Sequence, residues 1–431
     1  MRLLLQLLAI LTCQVVLAAD PPLLIVGADV LDPTASKLIP HQQVLITDWR
    51  ISRIAGEISS PPQGTKRIDA AGLTLLPGLT DLHSHLLLHP YNEAPWDQQV
   101  LKESSYLRTI RGVVAARATL EAGFTTLRDL GTEGADYADV ALRDAIRSGM
   151  IPGPNLVVVT RAIVATGCYA PQGYDPRWHL PIGAQVADGV DGVRKAVREQ
   201  IAGGADWIKV YADYHRAPDA AVTPTFSLEE LKAIVDEAAS AGLSVAAHAT
   251  SNEGIRRAVL AGVRTIEHGF NASDEVLTMM KERGVFLCPT LTAAEAYERY
   301  AGWKPGTPDP PRLADAKAMF GRALKIGVTI GCGSDVGVFP HGENARELEL
   351  MVECGMSPAD AIKSATLTAA QVLKREGKTG QITEGAAADI IAVHGDPLRD
   401  IHALRKPALV IKDGRVIVDA EKPRRAQRRT E

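Results

Sequence analysis

The stretch SLEELKAIVDEAASAGLSVAAHATSNEGIRRAVLAGVRTIEHG, residues 227–269, decides the fold of this chain. It begins with a helix predicted over Leu228–Ala241, because apolar residues recur at helical spacing behind the capping residue Ser227. Two short apolar strands are predicted after it, at Ser244–Ala249 and Thr265–Gly269. This alternation of helix and strand is typical of a parallel sheet covered by helices.

The same alternation extends along the chain in both directions. Six further strands are predicted, at Leu75–His85, Phe124–Asp129, Asn155–Ala162, Trp207–Ala212, Phe286–Thr290 and Val328–Asp335. Amphipathic helices lie between most of them, as at Ala314–Ile326. Eight strand–helix units within about 250 residues predict an α/β fold whose sheet closes into a (β/α)8 TIM barrel.

The two ends of the chain follow a different pattern. Residues 23–69 and 381–418 contain short alternating strands interrupted by Gly, Asp and Pro. We expect these two ends to pair into one small β-sandwich. The predicted organisation is therefore a composite β-sandwich domain of residues 20–76 and 376–420, and a barrel of residues 77–375.

Both termini carry their own signals. Residues 1–19 have a charged start, an apolar middle and small residues before Asp20, which predicts a secretory signal peptide cleaved near Ala19. The apolar run is too short, and too often interrupted by polar residues, to form a stable transmembrane helix. The mature protein is therefore expected to be secreted or periplasmic, with no stable membrane span. Residues 421–431 are basic and are interpreted as a solvated tail.

The composition excludes several classes of protein. The chain has 431 residues, of which 46% are hydrophobic and 23% charged, as is ordinary for a globular protein. A net charge of −4 gives no general electrostatic case for a nucleic-acid partner. The cysteines that follow the predicted cleavage site are scattered, and their spacing indicates neither a disulfide scaffold nor a cysteine zinc site. We interpret Cys288 and Cys332 as buried free thiols.

Residues that can bind metal stand at the carboxyl ends of the predicted barrel strands. In the first strand His83 and His85 are two residues apart, so both imidazoles face the barrel interior. His248, His268 and Asp335 lie at the ends of the fifth, sixth and eighth strands, on the face where barrel enzymes place their sites. A purely structural role, as buried histidines with hydrogen-bond partners, would explain His83 and His85 alone. It does not explain why histidines and an aspartate from several strands converge at the same face.

The fourth strand, WIKVY, adds a lysine to this set. Alternation places Trp207, Lys209 and Tyr211 on one face of the strand, and Ile208 and Val210 on the other. If the aliphatic pair packs against the helices, Lys209 projects into the barrel, where an unpaired ammonium is costly. Lys209 then needs a carboxylate partner or conversion of its neutral amine by CO2 to a carbamate, which can bridge two metal ions.

The motifs PGLTDLHSHL, WIKVYAD, VAAHAT, IEHG and GSDVG occur in the order found in the amidohydrolase superfamily. The sequence resembles that superfamily over nearly the whole mature chain. Within it, the chain is similar to the imidazolonepropionase-like and Xaa-Pro dipeptidase-like branch, which includes binuclear enzymes that release a C-terminal amino acid from dipeptides and N-acyl amino acids. Ochratoxin-hydrolysing amidases look similar in pattern.

The resemblance implies a binuclear centre. It assigns two divalent metal ions, zinc being the expected ion and Co or Mn possible substitutes, to six ligands: His83, His85, Lys209, His248, His268 and Asp335. By this resemblance His83, His85 and Asp335 would hold one ion and the other two histidines the second, with carboxylated Lys209 as the bridge. Asp335 would accept a proton as a metal-activated hydroxide attacks the amide carbonyl, and would pass it to the leaving amine. His268 and Tyr211 would orient or polarise the substrate.

Rim loops are predicted to bind the substrate. Tyr211 is the best candidate for holding the carboxylate of a released amino acid, because alternation lifts it above Lys209 toward the barrel mouth; packing at the barrel top is the alternative. Other residues on plausible rim loops are Tyr169, Arg161, His215 and His341. In the branch that the chain resembles, the loop after the third strand often reads TGGHG. This chain has Cys168-Tyr169-Ala170 in those places, a departure that argues against carrying over a preference for proline.

Three functional hypotheses follow. The leading one is a secreted hydrolase of dipeptides or N-acyl amino acids, with a carboxypeptidase-like or Xaa-Pro dipeptidase-like outcome that extends to ochratoxin-type amides. The second is a cyclic-amide hydrolase or deaminase of the imidazolonepropionase type, against which Lys209 and the signal peptide argue. The third is a non-catalytic metal- or solute-binding protein, which would need no general base such as Asp335. The expected partners are a small amide or dipeptide and, by the resemblance, further copies of the chain in a homo-oligomer.

Overall fold

The computed structural model describes residues 20–34, 36–175, 177–215, 217 and 220–420. The predicted signal peptide, residues 1–19, and the predicted basic tail, residues 421–431, lie outside the described residues. None of the described helices combines the length and the apolar character that crossing a bilayer requires.

The described chain begins and ends with strands and carries its helices in between. The strands are β1 (Leu23–Asp32), β2 (Lys37–Thr47), β3 (Arg50–Ala55), β4 (Lys66–Asp69), β5 (Leu73–Pro77), β6 (Leu79–Ser84), β7 (Phe124–Asp129), β8 (Asn155–Val158), β9 (Ile163–Val164), β10 (Gln185–Val186), β11 (Ile208–Tyr211), β12 (Asp213–Tyr214), β13 (Thr223–Pro224), β14 (Val245–Ala249), β15 (Thr265–His268), β16 (Phe286–Cys288), β17 (Ile390–His394), β18 (Leu409–Lys412) and β19 (Arg415–Asp419). The α-helices are α1 (Trp96–Lys102), α2 (Ser105–Glu121), α3 (Ala138–Arg147), α4 (Gly189–Ala202), α5 (Leu228–Ser240), α6 (Asn252–Ala261), α7 (Asp274–Arg283), α8 (Leu291–Tyr300), α9 (Pro311–Ile326), α10 (Arg346–Glu353), α11 (Pro358–Ser364) and α12 (Leu367–Val372). A 3-10 helix covers Ile401–Arg405.

The strands in the middle of the chain pair in parallel. One sheet has the order β6-β7-β8, and a second has the order β10-β9-β11-β14-β15-β16. The two sheets meet where the amides of Asp206 and Trp207, just before β11, donate to the carbonyl of Val158 in β8. The long connections between these strands are helical, as parallel pairing requires.

Several predicted strands are shorter in the structure, and two differ from the observed elements in more than their bounds. The predicted strand Leu75–His85 is divided at Gly78, where any side chain would overlap Thr125. Its first part, β5, belongs to the terminal sheet, and its second part, β6, belongs to a central sheet. The predicted strand Val328–Asp335 forms no continuous ladder. Its region makes isolated bridges to β16 and β6, through Ile330 and Val336 respectively. Backbone hydrogen bonds nevertheless join this segment to both neighbours, so Asp335 is carried beside β6.

The predicted helix at Leu228–Ala241 is confirmed as α5. The hydroxyl of Ser227 accepts a hydrogen bond from the amide of Glu230, whose carboxylate in turn accepts one from the amide of Ser227 at 2.8 Å. This reciprocal capping box fixes where the helix starts. The predicted helix at Ala314–Ile326 is α9, which begins three residues earlier, at Pro311.

The alternation predicted for the fourth strand is also observed. Ile208 and Val210 belong to the large apolar core that includes the helices. Trp207 packs instead in a separate cluster with side chains of other central strands, among them Val157 and Phe286. An apolar layer therefore lies between the central strands, on the same face of β11 that carries Lys209 and Tyr211.

The two ends of the chain form one mixed sheet, in the region where the sequence predicted a small β-sandwich. Its order is β19-β18-β17-β5-β1-β2-β3, with β4 beside β1. The antiparallel pair of β5 and β17, with Leu75 opposite Ala392, joins the amino-terminal to the carboxyl-terminal segment. Ile25, Val44 and Ile390 share one buried cluster with Leu75, which gives this sheet an apolar core of its own.

Candidate metal centre

Three of the predicted ligands converge at the carboxyl end of β6. One carboxylate oxygen of Asp335 lies 3.4 Å from Nε2 of His83 and 3.3 Å from Nε2 of His85. One potential ligand atom from each of the three residues falls within 4.8 Å of the others. Two imidazoles and a carboxylate at this spacing can hold a divalent cation.

The other ring nitrogens of these histidines are engaged by the protein. Nδ1 of His83 lies 2.9 Å from a carboxylate oxygen of Glu267, and Nδ1 of His85 lies 3.2 Å from the carbonyl oxygen of Gly131. Each of these contacts favours the proton on Nδ1 and leaves Nε2, which faces Asp335, free to bind a metal. This is the usual arrangement around a histidine that ligates zinc.

The two other predicted histidines lie next to this group. The ring of His268, at the end of β15, has its centre 5.1 Å from that of His83 and 4.6 Å from that of His248 on β14. Nδ1 of His268 is 2.7 Å from the hydroxyl oxygen of Thr290, which leaves its Nε2 available. The structure thus brings all four predicted histidines side by side.

Lys209 lies on β11 and is almost completely buried. Its ammonium nitrogen stands 5.5 Å from the centre of the Tyr211 ring and makes no hydrogen bond or ion pair within the described part of the chain. Burial lowers the pKa of Lys209, against the opposing charges of Glu267 and Asp335. A lowered pKa increases the fraction of neutral amine, which is the form that reacts with CO2.

Burial and charge also set the protonation of the other ligands. Burial and the neighbouring cationic groups hold the pKa of His248 and of His268 well below the usual value, so both imidazoles are neutral, as a metal ligand must be. Burial alone would raise the pKa of Asp335, but His83 and His85 lower it, so this carboxylate is ionised. Burial alone would lower the pKa of His85, but the hydrogen bond with Asp335 and the charge of Glu133 raise it to about 9, so a metal ion that binds there must displace a proton from this imidazole.

Several residues at this centre have a backbone conformation that side chains usually avoid. His268, Thr290 and Asp335 have φ angles of 72°, 53° and 64°. Such left-handed conformations cost about 1–3 kcal/mol each in non-glycine residues and cluster at functional sites. Here they are held by neighbouring strands: the amide of Asp335, for example, donates to the carbonyl of His83 at 2.8 Å.

The predicted ligands lie at a cavity of about 670 Å³. Five predicted ligands line it, namely His83, His85, His248, His268 and Asp335. Three of the predicted substrate-binding residues line it too, namely Tyr169, Tyr211 and His215. A volume of this size suits a substrate as large as a dipeptide or an N-acyl amino acid.

The structure does not bring the other two predicted substrate-binding residues, Arg161 and His341, to this cavity. A nitrogen of the Arg161 guanidinium donates to the Tyr137 hydroxyl at 3.0 Å, and the guanidinium also lies over the Tyr137 ring. Nε2 of His341 lies 3.1 Å from the carbonyl oxygen of Leu88. Both side chains therefore contact neighbouring elements outside the cavity lining, and their binding of substrate stays a prediction.

Aromatic side chains form one wall of the cavity. The ring of Tyr169 lies 4.2 Å from that of Tyr211 and 4.9 Å from that of Trp96, measured between ring centres. The Tyr169 hydroxyl and the Trp96 indole nitrogen both donate to the carboxylate of Glu133, the latter at 2.8 Å. The loop that departs from TGGHG therefore contributes an anchored tyrosine to the cavity.

Sequence reasoning missed two buried carboxylates that hold the ligands. Glu267, next to His268 in the IEHG motif, contacts His83 and pairs with Arg128 at 2.8 Å. Asp81, two residues before His83, accepts hydrogen bonds from the amides of His83 and Ser334, at 3.0 Å each. The signal for Asp81 was its even spacing from the histidines, whereas Glu267 lies outside any spacing pattern that would mark it.

The geometry agrees with similarity to known proteins. The model of the amidohydrolase family matches residues 74–417. Ochratoxinase from Aspergillus niger is 34% identical over 423 residues, which cover 90% of this chain and 84% of the relative. Imidazolonepropionase from Symbiobacterium thermophilum is 26% identical and covers 90% of this chain and 92% of its own length. The crystal structure of a Xaa-Pro dipeptidase with methionine bound in its active site superposes with a TM-score of 0.83 at 34% identity, over 92% of this chain and 99% of that one.

Proposed function

The chain belongs to the amidohydrolase family and is a hydrolase of amide bonds, and on that premise we propose that it releases an amino acid from dipeptides or N-acyl amino acids. The resemblance inferred from the motifs is thereby confirmed. One observation carries the proposal: two imidazole nitrogens and a carboxylate of Asp335 face one another where the cavity reaches the end of β6. A scissile amide could meet a metal-activated water there.

The similar proteins support this class of substrate. The Xaa-Pro dipeptidase binds a free amino acid, methionine, in its active site, as a product of such a reaction would bind. Ochratoxinase is a named relative at 34% identity, so ochratoxin-type amides belong to the substrates to be tested. The proposal includes no preference for proline, because Tyr169 and its neighbours replace the TGGHG loop.

We propose that two divalent ions, zinc in the first instance, occupy the centre. His83, His85 and Asp335 would hold one, and His248 and His268 the other, with carboxylated Lys209 between them. Such ions would supply an activated water and a polarised carbonyl. The amine of Lys209 is buried and makes no hydrogen bond or ion pair with another described residue, which fits this role because a carbamate would replace a costly unpaired ammonium with a bound anion.

The residues of the chain then have distinct tasks. Asp335 is ionised, so it can accept the proton of the attacking water and deliver it to the nitrogen of the leaving amine. His268 is neutral and held by Thr290, so it presents a fixed imidazole beside the scissile carbonyl. Tyr211, which lines the cavity, orients the substrate.

The fold belongs to the TIM-barrel type of the family, with mixed α/β content. We propose that its central strands close into a complete (β/α)8 barrel, because residues 328–336 make backbone hydrogen bonds to both β16 and β6. We propose likewise that the terminal sheet folds over as a small β-sandwich. The amide of Ile51 in β3 donates to the carbonyl of Ala386, which lies just before β17, and the sheet has its own buried core.

Two further proposals concern the setting of the enzyme. We propose that it acts outside the cytoplasm, because residues 1–19 have the pattern of a cleaved signal peptide. We also propose that it is a homo-oligomer. Tyr106, Ile110 and Val114 follow one another at intervals of four residues on α2 and are 82%, 64% and 67% exposed, an apolar stripe of the kind that interfaces cover.

The proposed function is tested with purified mature protein and N-acetyl amino acids ending in Phe, Leu, Pro or Lys. We expect release of the free amino acid from at least one substrate, loss of activity after chelation, and recovery with zinc. Metal analysis should give two ions per chain. Hydrolysis of a cyclic amide such as imidazolonepropionate without any amino-acid release would overturn the proposal in favour of the imidazolonepropionase type.

A further inference from the structure

Arg312 is a cation at the cavity that forms no ion pair with the acids of the described residues. It is the second residue of α9, it is exposed, and it lines the same cavity as His268 and Asp335. Within the described residues its guanidinium forms no ion pair, although Asp315, one turn further along α9, also lines the cavity. Its position is set by Tyr297, because the guanidinium carbon lies 4.3 Å above the centre of that ring.

No other arginine or lysine is found among the described residues that line the cavity. Lys209 is buried and is not one of the residues that line the cavity. A substrate that carries a negative charge away from the scissile bond therefore meets one guanidinium, and a guanidinium can bind a carboxylate through two parallel hydrogen bonds.

The wall that carries Tyr211 is less suited to an anion. Tyr169, which packs on Tyr211, donates its hydroxyl to the buried carboxylate of Glu133. A second carboxylate placed against Tyr211 would lie near that negative charge, whereas one placed against Arg312 would be attracted.

We infer that Arg312 binds the free carboxylate of the substrate, so that the enzyme selects N-acyl amino acids and dipeptides over the corresponding neutral amides. The inference rests on the proposed function and deepens it, since it assigns the carboxylate to α9 and not to Tyr211. Tyr297 acts as a positioning residue that holds the guanidinium over its ring.

The test compares N-acetyl-L-phenylalanine with N-acetyl-L-phenylalaninamide, which differ in the negative charge. The measured quantity is the ratio of kcat/KM for the acid to that for the amide. In Arg312→Gln we expect this ratio to fall roughly 10- to 100-fold, as loss of a charge-assisted hydrogen-bonded pair predicts. Arg312→Lys, which keeps the charge without the fork, should lose less. Lys325→Gln, which removes an exposed cation from the last turn of the same helix, should keep the wild-type ratio.

A binding measurement separates this inference from the proposed function. Isothermal titration of the metal-loaded protein with the same two compounds reports the carboxylate preference whether or not either is hydrolysed. A preference for the acid that Arg312→Gln removes supports the inference even if no amino acid is released, in which case only the proposed function fails. An unchanged ratio in Arg312→Gln, or a ratio that collapses in Tyr211→Phe alone, overturns the inference.

Discussion

The floor and the rim of the cavity are built in different ways. At the floor, a second buried group fixes the ligand: Glu267 holds His83, and Thr290 holds His268. At the rim, Tyr169 lies on a loop and Arg312 at the start of a helix. Each is held by contact with an aromatic ring. This difference teaches that residue spacing along the strands determines where the metal ligands lie. The positions of the residues that bind substrate depend instead on how the rim loops fold.

Removal of Lys209 should have the largest effect on activity, because it removes a proposed metal ligand from the floor of the cavity. In Lys209→Ala we expect amide hydrolysis to fall on the order of 1,000-fold or more, together with loss of about one of two bound ions. Added acetate should restore part of the activity, since it can supply a carboxylate in the vacated space. Initial rates and metal analysis by mass spectrometry measure both effects. One ion per chain in the wild type and full activity in the variant would contradict a bridging lysine.

Neutralising Glu267 should have the next largest effect. Glu267→Gln weakens the support of His83 and leaves the fully buried Arg128 without its charge partner. We expect the affinity for metal to fall roughly 10- to 100-fold, and the melting temperature to drop, since breaking a buried pair costs about 3–5 kcal/mol. Competition with a chelator and thermal melting measure these changes. The matched control, Glu121→Gln, breaks only the exposed pair with Arg117 and should change neither.

A change at the rim should affect substrate binding more than the metal. Tyr169→Ala removes the ring that packs between Trp96 and Tyr211, whereas Tyr169→Phe removes only the hydroxyl bound to Glu133. We expect KM to rise about tenfold in the first variant and a few-fold in the second, because aromatic contacts contribute about 0.5–1.5 kcal/mol beyond their buried area. Both proteins should retain the wild-type metal content. Metal loss in Tyr169→Phe would show that the floor and the rim are not separable in this way.

The same contrast explains what the sequence could predict. Alternation along a strand predicts Lys209 and Tyr211 on one face, and the structure agrees, since the ammonium nitrogen of Lys209 lies 5.5 Å from the centre of the Tyr211 ring. Glu267 escaped prediction because a buried acid that orients a ligand looks, in sequence, like any other partner of an arginine. Arg312 escaped because the start of α9 lies three residues before the predicted one, so the helix was not seen to reach the cavity.

His341 provides the mildest test of the contrast, because it was predicted at the rim and lies against Leu88. Burial lowers its pKa to about 4 from the ordinary value of 6.5, so the folded state favours the neutral ring. The stability that this group contributes is present above pH 6.5 and is lost as the pH falls from 6.5 toward 4. We expect His341→Gln to lose less stability in acid than the wild type. The difference in the free energy of unfolding at pH 5 should be about 1 kcal/mol, a modest value because the ring is only half-buried. Thermal melts at pH 7.5 and pH 5 measure this, with the exposed His179→Gln as a control that should follow the wild type. Equal acid sensitivity in all three proteins, combined with a raised KM in His341→Gln, would return His341 to the substrate-binding rim.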